Sequence, residues 1–93
     1  MRLSFTFNLK KSEDDEKQAE LFSQEYVDRV VSALEELGHK VSPVEVSGPP
    51  GEVVDKLIDS RPDLIFNLAE GVGGKRRESY YPAMYELMGI PYT

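Results

Sequence analysis

Near the start of the chain, apolar side chains stand at every second position with small polar side chains between them. The apolar ones are Leu3, Phe5, Phe7 and Leu9, and the polar ones are Ser4, Thr6 and Asn8. A repeat of two residues with aromatic side chains is typical of a β-strand. The polar stretch that follows, Lys10–Gln18, predicts a loop, and we interpret its acidic run as a solvated surface.

The repeat changes after Ser23, where apolar side chains fall three and four positions apart and predict an amphipathic helix. They are Phe22, Tyr26, Val27, Val30, Ala33, Leu34 and Leu37. Ser23 is a favourable N-cap, and Gly38 stands where a left-handed residue commonly ends a helix. The next segment, Val41–Val46, predicts a short strand. Pro43 inside it indicates an edge position, because proline donates no hydrogen bond to a neighbouring strand.

A second helix and a third strand come next. The turn-forming stretch 47–51 precedes the helix, which ends before Pro62 because the residue before a proline avoids helical backbone. The apolar side chains of this helix are Val53, Val54, Leu57 and Ile58. Leu64–Phe66 together with Leu68 forms an apolar run, which is typical of a strand covered on both faces.

A third helix and a fourth strand are predicted after the glycine-rich stretch 69–79. The helix is outlined by Tyr81, Met84, Leu87 and Met88. Pro82 falls in its first turn, where a missing N–H costs little, and Gly89 follows as a left-handed stop. Ile90–Thr93 begins the fourth strand. We interpret the tyrosines at 80, 81, 85 and 92 as packing residues whose hydroxyl groups are in water.

Strands and helices therefore alternate along the whole chain. This order predicts an α/β fold in three layers, with an open parallel four-stranded sheet between helices on both faces. The first and third strands are the most apolar, so we place them at the centre and predict the strand order 2-1-3-4. Residues 1–93 form a single domain in this interpretation.

Composition narrows the classes of function. Lys and Arg number 11 against 17 Asp and Glu, a net charge of −6, so we expect no nucleic-acid partner. The chain has no cysteine and a single histidine, His39, which argues against disulfides and a metal cluster. No apolar run approaches the roughly 20 residues of a membrane span, and no secretory signal precedes the first strand. We therefore expect no membrane partner and a cytoplasmic protein.

The glycine-rich stretch is the first candidate for a binding site. Ligands of open parallel sheets bind beyond the carboxyl ends of the strands where the strand order reverses, here between the first and third strands. The glycines and cations in the loop after the third strand are Gly71, Gly73, Gly74, Lys75, Arg76 and Arg77. Glycines allow close approach to the backbone, and cations before a helix favour an anion. The alternative is a solvated connection. Nucleotide-loop patterns fail, because Ala69 and Arg76 stand where they need glycine or a hydroxyl group.

Individual charged residues around this loop supply candidate substrate contacts. Glu20 precedes the first helix and is a candidate for a ligand ammonium, although the alternative is a charge that interacts only with the helix dipole. Arg77 is a candidate for a carboxylate or phosphate, because its planar fork bonds two oxygens at once. Glu70 would orient Arg77.

The stretch FNLAEGVGGKRRESYYPAMYELMGIPYT resembles the end of the N-terminal domain of D-alanine–D-alanine ligases and related ATP-grasp ligases. The elements that carry the resemblance are Phe66-Asn67, Glu70-Gly71, Gly74, Arg77-Glu78, Pro82 and Gly89-Ile90-Pro91-Tyr92-Thr93. The segment Leu34–Val46 is similar to the passage from helix to second strand in the same family.

The resemblance implies a Rossmann-like, pre-ATP-grasp domain on the substrate side of a larger ligase, truncated at its C-terminal end. Such ligases use ATP and magnesium to form an acyl phosphate that an amine then attacks. The ATP and metal ligands lie in ATP-grasp domains beyond residues 1–93, so we expect no catalysis by this chain alone. Its expected partners are those domains and a small amino-acid substrate. We also expect weak self-association through the edge formed by Ile90–Thr93.

Two departures from the family pattern concern the substrate. The family's glycine pair after the first strand is absent from Asn8–Glu13, which leaves Glu20 as the nearest match to the glutamate that holds an ammonium. Glu70 stands where many members have histidine. These departures fit a ligase homologue whose amino-acid substrate is unassigned. The alternative is a standalone binding module with the same fold and no catalysis.

Overall fold

The structure, a computed structural model, describes residues 1–9, 23–69 and 77–93, with backbone alone over 77–80. The elements are β1 Arg2–Phe7, α1 Gln24–Glu36, β2 Lys40–Glu45, α2 Pro50–Ser60, β3 Leu64–Asn67 and α3 Arg77–Met88. Strands and helices alternate, so the predicted α/β class is confirmed.

The three strands form a parallel sheet in the order β2-β1-β3. β1 is the central strand, and Thr6 lies opposite Val44 on one side and Asn67 on the other. In place of a full fourth strand, Tyr92 makes a single parallel bridge with Ile65 of β3. The N–H of Ile65 donates to the carbonyl of Pro91 at 2.8 Å. The last residues thus lie at the position predicted for strand four, and the order 2-1-3 is confirmed.

β2 is an edge strand, as Pro43 predicted. The N–H of Lys40 donates to the carbonyl of Met1, and that of Val46 to the carbonyl of Phe7, each at 3.0 Å. Even-numbered residues of β2 therefore direct their N–H groups toward β1, and the nitrogen of Pro43 faces outward. Proline is tolerated there because no neighbouring strand needs its hydrogen bond.

The ends of α1 and α3 also follow the sequence. Ser23 Oγ accepts a hydrogen bond from the N–H of Tyr26 at 3.2 Å, which caps α1. Gly38 and Gly89 have φ values of 94° and 72°, the left-handed region that glycine enters without strain. Arg61 ends α2 in the same region, at φ 47°, although it carries a side chain.

α3 begins earlier than the apolar spacing predicts. It starts at Arg77, so Pro82 is the sixth residue of the helix, and its predicted place in the first turn is wrong. Proline has no N–H for the carbonyl four residues earlier, so one bond of the helical ladder is missing there. Of the apolar residues that outlined this helix, Leu87 is 90% exposed, whereas Tyr85, predicted as a packing residue, is fully buried.

The two faces of the sheet carry separate clusters. On the α1 face, Phe5 and Phe7 pack with Val27, and the ring of Phe66 lies edge-on to Phe5 at 5.9 Å between centroids. On the other face, side chains of α2 and α3 pack over Ile65. The buried members there are Val44, Val46, Val53, Leu57, Ile65, Ala69 and Tyr85. The carboxyl ends of the strands meet at one edge between these layers.

Candidate functional site

A row of polar side chains runs along β1 on the face that α2 and α3 cover. This polar row consists of Ser4, Thr6 and Asn8, whose exposed fractions are 0%, 0% and 2%. Ser4 Oγ lies 2.7 Å from Ser60 Oγ at the end of α2. The period of two that predicted the strand thus places these side chains in the interior, where each needs a partner.

Asn67, at the carboxyl end of β3, joins three parts of the chain. Its Oδ1 accepts hydrogen bonds from Thr6 Oγ1 at 2.8 Å, Tyr85 Oη at 2.9 Å and the N–H of Ala69 at 3.3 Å. Its own N–H donates to Thr93 Oγ1 at 3.0 Å. The side chain therefore ties the central strand, the start of the glycine loop and α3 together at the sheet edge.

Asn8, the last member of the polar row, follows β1 and lies at the same edge of the sheet as Asn67. Its Nδ2 donates to Ser47 Oγ at 3.2 Å and to Tyr81 Oη at 3.4 Å. The Tyr81 hydroxyl donates to the carbonyl of Val46 at 3.2 Å. One buried amide thus links the end of β1 to the residues after β2 and to α3.

Tyr85 supplies a neutral donor to this edge. Its side chain is fully buried, and burial raises the pKa of its hydroxyl from 10.0 to about 12, because a phenolate there would lose its hydration. The hydroxyl therefore keeps its proton at neutral pH and donates to Asn67 Oδ1. The predicted wet hydroxyl is wrong for Tyr85.

An apolar groove of about 270 Å³ opens beside Asn8 and Tyr81. Its walls come from the end of β2, the start of α2 and the inner side of α3. The lining residues are Val46, Gly48, Pro50, Val53, Tyr81 and Met84. Such a groove suits a small apolar group, and Tyr81 in its wall also bonds to Asn8.

Relatives match most of this chain. A D-alanine–D-alanine ligase from Erythrobacter litoralis is 34% identical over 79 residues, which cover 85% of this chain and 22% of the relative. Another from Rickettsia felis is 33% identical over 78 residues, 84% of this chain and 22% of the relative. The chain is related to the D-alanine–D-alanine ligases. The resemblance that the C-terminal third carries is thereby confirmed.

Each of these matches covers only a small part of the relative's length. An uncharacterized protein, y4sG, from Sinorhizobium fredii is 37% identical over 71 residues, 71% of this chain and 21% of the relative. The chain spans about a fifth of the length of the curated relatives it matches. No family model matches the chain, and no solved structure matches it significantly.

The contacts predicted at the loops after the first and third strands fall mostly outside the described residues. Those are Glu20, Glu70, Gly71, Gly73, Gly74 and Lys75. Arg77 is the first residue of α3, and its side chain is outside the description as well. Their convergence stays a prediction. The described neighbours at the same edge are Thr6, Asn8, Asn67, Tyr81 and Tyr85.

The sequence marks Asn67 only within the stretch that carries the resemblance, and its partners on β1 and α3 were not predicted. A signal for them was present: β1 was predicted at the centre of a sheet covered on both faces. Polar side chains on such a strand have to find partners inside the protein. The alternation in the sequence therefore already marks Ser4, Thr6 and Asn8 as positions that need buried hydrogen-bond partners.

Metal clusters and membrane-spanning helices are both absent from the part of the chain that the structure describes. Across residues 1–9, 23–69 and 77–93, no three His, Asp or Glu side chains lie together as a metal site requires. Within the same ranges, no helix combines the length and the apolar character needed to cross a membrane.

Proposed function

We propose that this chain is the substrate-side domain of an ATP-dependent carboxylate–amine ligase of the D-alanine–D-alanine type, and that it is not a catalyst alone. The observation that carries the proposal is its relation to several D-alanine–D-alanine ligases over most of its own length. Because the chain spans about a fifth of those relatives, the remaining functions belong to other domains.

ATP and magnesium, held by ATP-grasp domains, would convert a substrate carboxylate into an acyl phosphate that an amine attacks with release of phosphate. This chain would hold the first amino acid at the carboxyl edge of its sheet. The described geometry supports that role. Thr6 Oγ1, near the end of β1, lies 2.8 Å from Asn67 Oδ1, at the end of β3. The loops that leave these two strands therefore begin at the same place.

Three side chains take roles in this proposal. Glu20 faces the substrate ammonium, and Arg77 faces its carboxylate or a phosphate. Glu70 orients Arg77. The glycines at 71, 73 and 74, with Lys75, bring backbone N–H groups and positive charge to the same anion. The partners of the domain are the ATP-grasp domains and a small amino acid.

The test compares the 93-residue chain with the product of the complete reading frame that contains it. We expect the frame to continue after Thr93 with Gly-Ser, and its product to release phosphate from ATP only when an amino acid is present. The 93-residue chain should release none and should bind ATP no more tightly than about millimolar, as it has no nucleotide loop.

Two outcomes would contradict the proposal. Saturable micromolar binding of ATP to the 93-residue chain, seen by calorimetry, would show that the chain carries a nucleotide site of its own. A stop codon directly after Thr93, with amino-acid binding and no turnover, would favour the standalone binding module.

A further inference from the structure

Hydrogen bonds to the oxygen of the Asn67 side-chain amide fix the orientation of that amide. Its Oδ1 accepts from the hydroxyls of Thr6 and Tyr85 and from the N–H of Ala69, at 2.8, 2.9 and 3.3 Å. The backbone N–H can only donate, so the atom that faces it must be the amide oxygen. The nitrogen, Nδ2, therefore points away from this group of donors.

The nitrogen end of the same amide is a donor that no acceptor among the described residues occupies. In the described part of the chain, Nδ2 of Asn67 makes no hydrogen bond, although its oxygen accepts three. The side chain is half-buried and stands at the carboxyl end of β3, beside the central strand. We propose that Nδ2 of Asn67 is a binding donor for an oxygen anion, either a carboxylate or a phosphate.

The surroundings suit Asn67 to this task. Three donors converging on the oxygen polarise the amide, which makes its N–H groups stronger donors, because hydrogen bonds in series reinforce one another. The three contacts also hold the side chain in one rotamer, so a ligand does not have to order it. Tyr85 contributes to both effects as long as its hydroxyl is protonated, and burial raises its pKa to about 12.

The inference rests on the proposed function only in the choice of one probe, D-alanine. The other probes, acetate and inorganic phosphate, separate a carboxylate from a phosphate without reference to a ligase. Binding of acetate without binding of D-alanine would leave the role of Asn67 intact and would count against the proposed substrate class.

The decisive variant is Asn67→Asp. It has nearly the same shape and keeps an oxygen for Thr6, Tyr85 and Ala69, while it replaces the donor nitrogen with a negatively charged acceptor. We expect the folded chain to persist and anion affinity to fall by about tenfold to hundredfold, the range of a hydrogen bond to a charged group. If Asn67 acted only through Oδ1 and the anion bound elsewhere, binding would be nearly unchanged, because salt screens charges that lie more than about 10 Å apart.

The measurement is a nuclear magnetic resonance titration of the ¹⁵N-labelled 93-residue chain. The side-chain NH₂ pair that is missing in Asn67→Asp belongs to Asn67. It should shift saturably with at least one probe at up to about 50 mM, above the millimolar dissociation constant expected of so few contacts. The side-chain amide of Gln24, which donates to Asp28 on α1, is the internal control.

A supporting and an opposing outcome are both defined in the unaltered chain, so the test does not depend on how well Asn67→Asp folds. A saturable shift at Asn67 that exceeds the shift at Gln24 supports the inference, and the probe that causes it identifies the anion. No excess shift with any of the three probes overturns it. A shift that persists with equal affinity in folded Asn67→Asp, read from the backbone N–H of residue 67, overturns it as well.

Discussion

The two faces of the sheet are both buried, yet they are built from different chemistry. On the α1 face, β1 contributes Phe5 and Phe7, whose ring centroids lie 5.0 Å apart. On the opposite face the same strand contributes the polar row, with hydrogen bonds to α2, β3 and α3. Apolar contacts stabilise without direction, whereas hydrogen bonds fix where atoms point. The difference teaches that one strand can supply stability with one face and orientation with the other.

The largest effect should come from the aromatic face. Phe5→Ala removes a fully buried ring from between Phe7 and Phe66, and we expect the free energy of unfolding to fall by about 3–5 kcal/mol. Urea denaturation followed by circular dichroism measures it. Leu37→Ala is the control, because Leu37 is 73% exposed and should change stability by less than about 0.5 kcal/mol. Equal losses in the two variants would refute the division between the faces.

A smaller effect is expected at the polar face. Tyr85→Phe keeps the buried ring and removes the hydroxyl that donates to Asn67, while Thr6 and Ala69 still donate to the same oxygen. We expect a loss of about 0.5–1.5 kcal/mol in the free energy of unfolding, measured as for Phe5. A loss as large as that of Phe5→Ala would mean that the polar face supplies core stability too.

The same pair of proteins gives a pH test. The pKa of Tyr85 is about 12 in the folded chain against 10.0 ordinarily, so the unfolded chain releases this proton first as pH rises. Stability from Tyr85 is complete below about pH 10 and is lost between about pH 10 and 12. The advantage of the unaltered chain over Tyr85→Phe should therefore shrink above about pH 10. A constant difference from about pH 8 to 11 would contradict the raised pKa.

The amino end of the polar row should matter least for binding. In Ser4→Ala, Ser60 keeps its bond to the carbonyl of Leu57 at 3.1 Å, so we expect a loss of less than about 1 kcal/mol. Anion shifts at Asn67 should be unchanged, because Ser4 lies toward the other end of β1. Weaker anion binding in Ser4→Ala would show that the polar row acts as one unit.

Self-association is the weakest effect that we expect. The carbonyl of Pro91 and the N–H of Thr93 bond to Ile65 of β3. The N–H and carbonyl of Tyr92 between them have no partner within the described residues. Such an edge favours pairing with another strand, and for so short an edge we expect dissociation constants of about millimolar or weaker. Sedimentation at increasing protein concentration measures this. A strict monomer at millimolar concentration would exclude it.

Residues with a local backbone task were predictable. Ser23, Gly38, Pro43 and Gly89 act through capping, a left-handed φ or a missing N–H, and each lies where its chemistry requires. The strand order 2-1-3 followed from strand composition and the edge proline. These features depend on short stretches of sequence, so no knowledge of distant partners was needed.

Residues whose role depends on distant partners were not predictable. Tyr85 and Leu87 are both compatible with a helix face, and only the packing of α3 on β3 decides that Tyr85 is buried and Leu87 exposed. The bond between Thr6 and Asn67 joins residues 61 positions apart. Pro82 was misplaced because helical backbone begins inside a glycine-rich stretch that local rules predict as loop.

Pro43 has a consequence for how copies of the chain assemble. Its nitrogen faces outward from β2, so this edge lacks a donor that a further strand would need. Strand addition is thus disfavoured at this edge, whereas among the described residues the edge beside Tyr92 offers an N–H and a carbonyl for pairing. A contact that uses the same edge of both molecules is two-fold symmetric and closes after two copies. If copies of this chain pair along that edge, we expect the pairing to end at a dimer and not to propagate into a fibre.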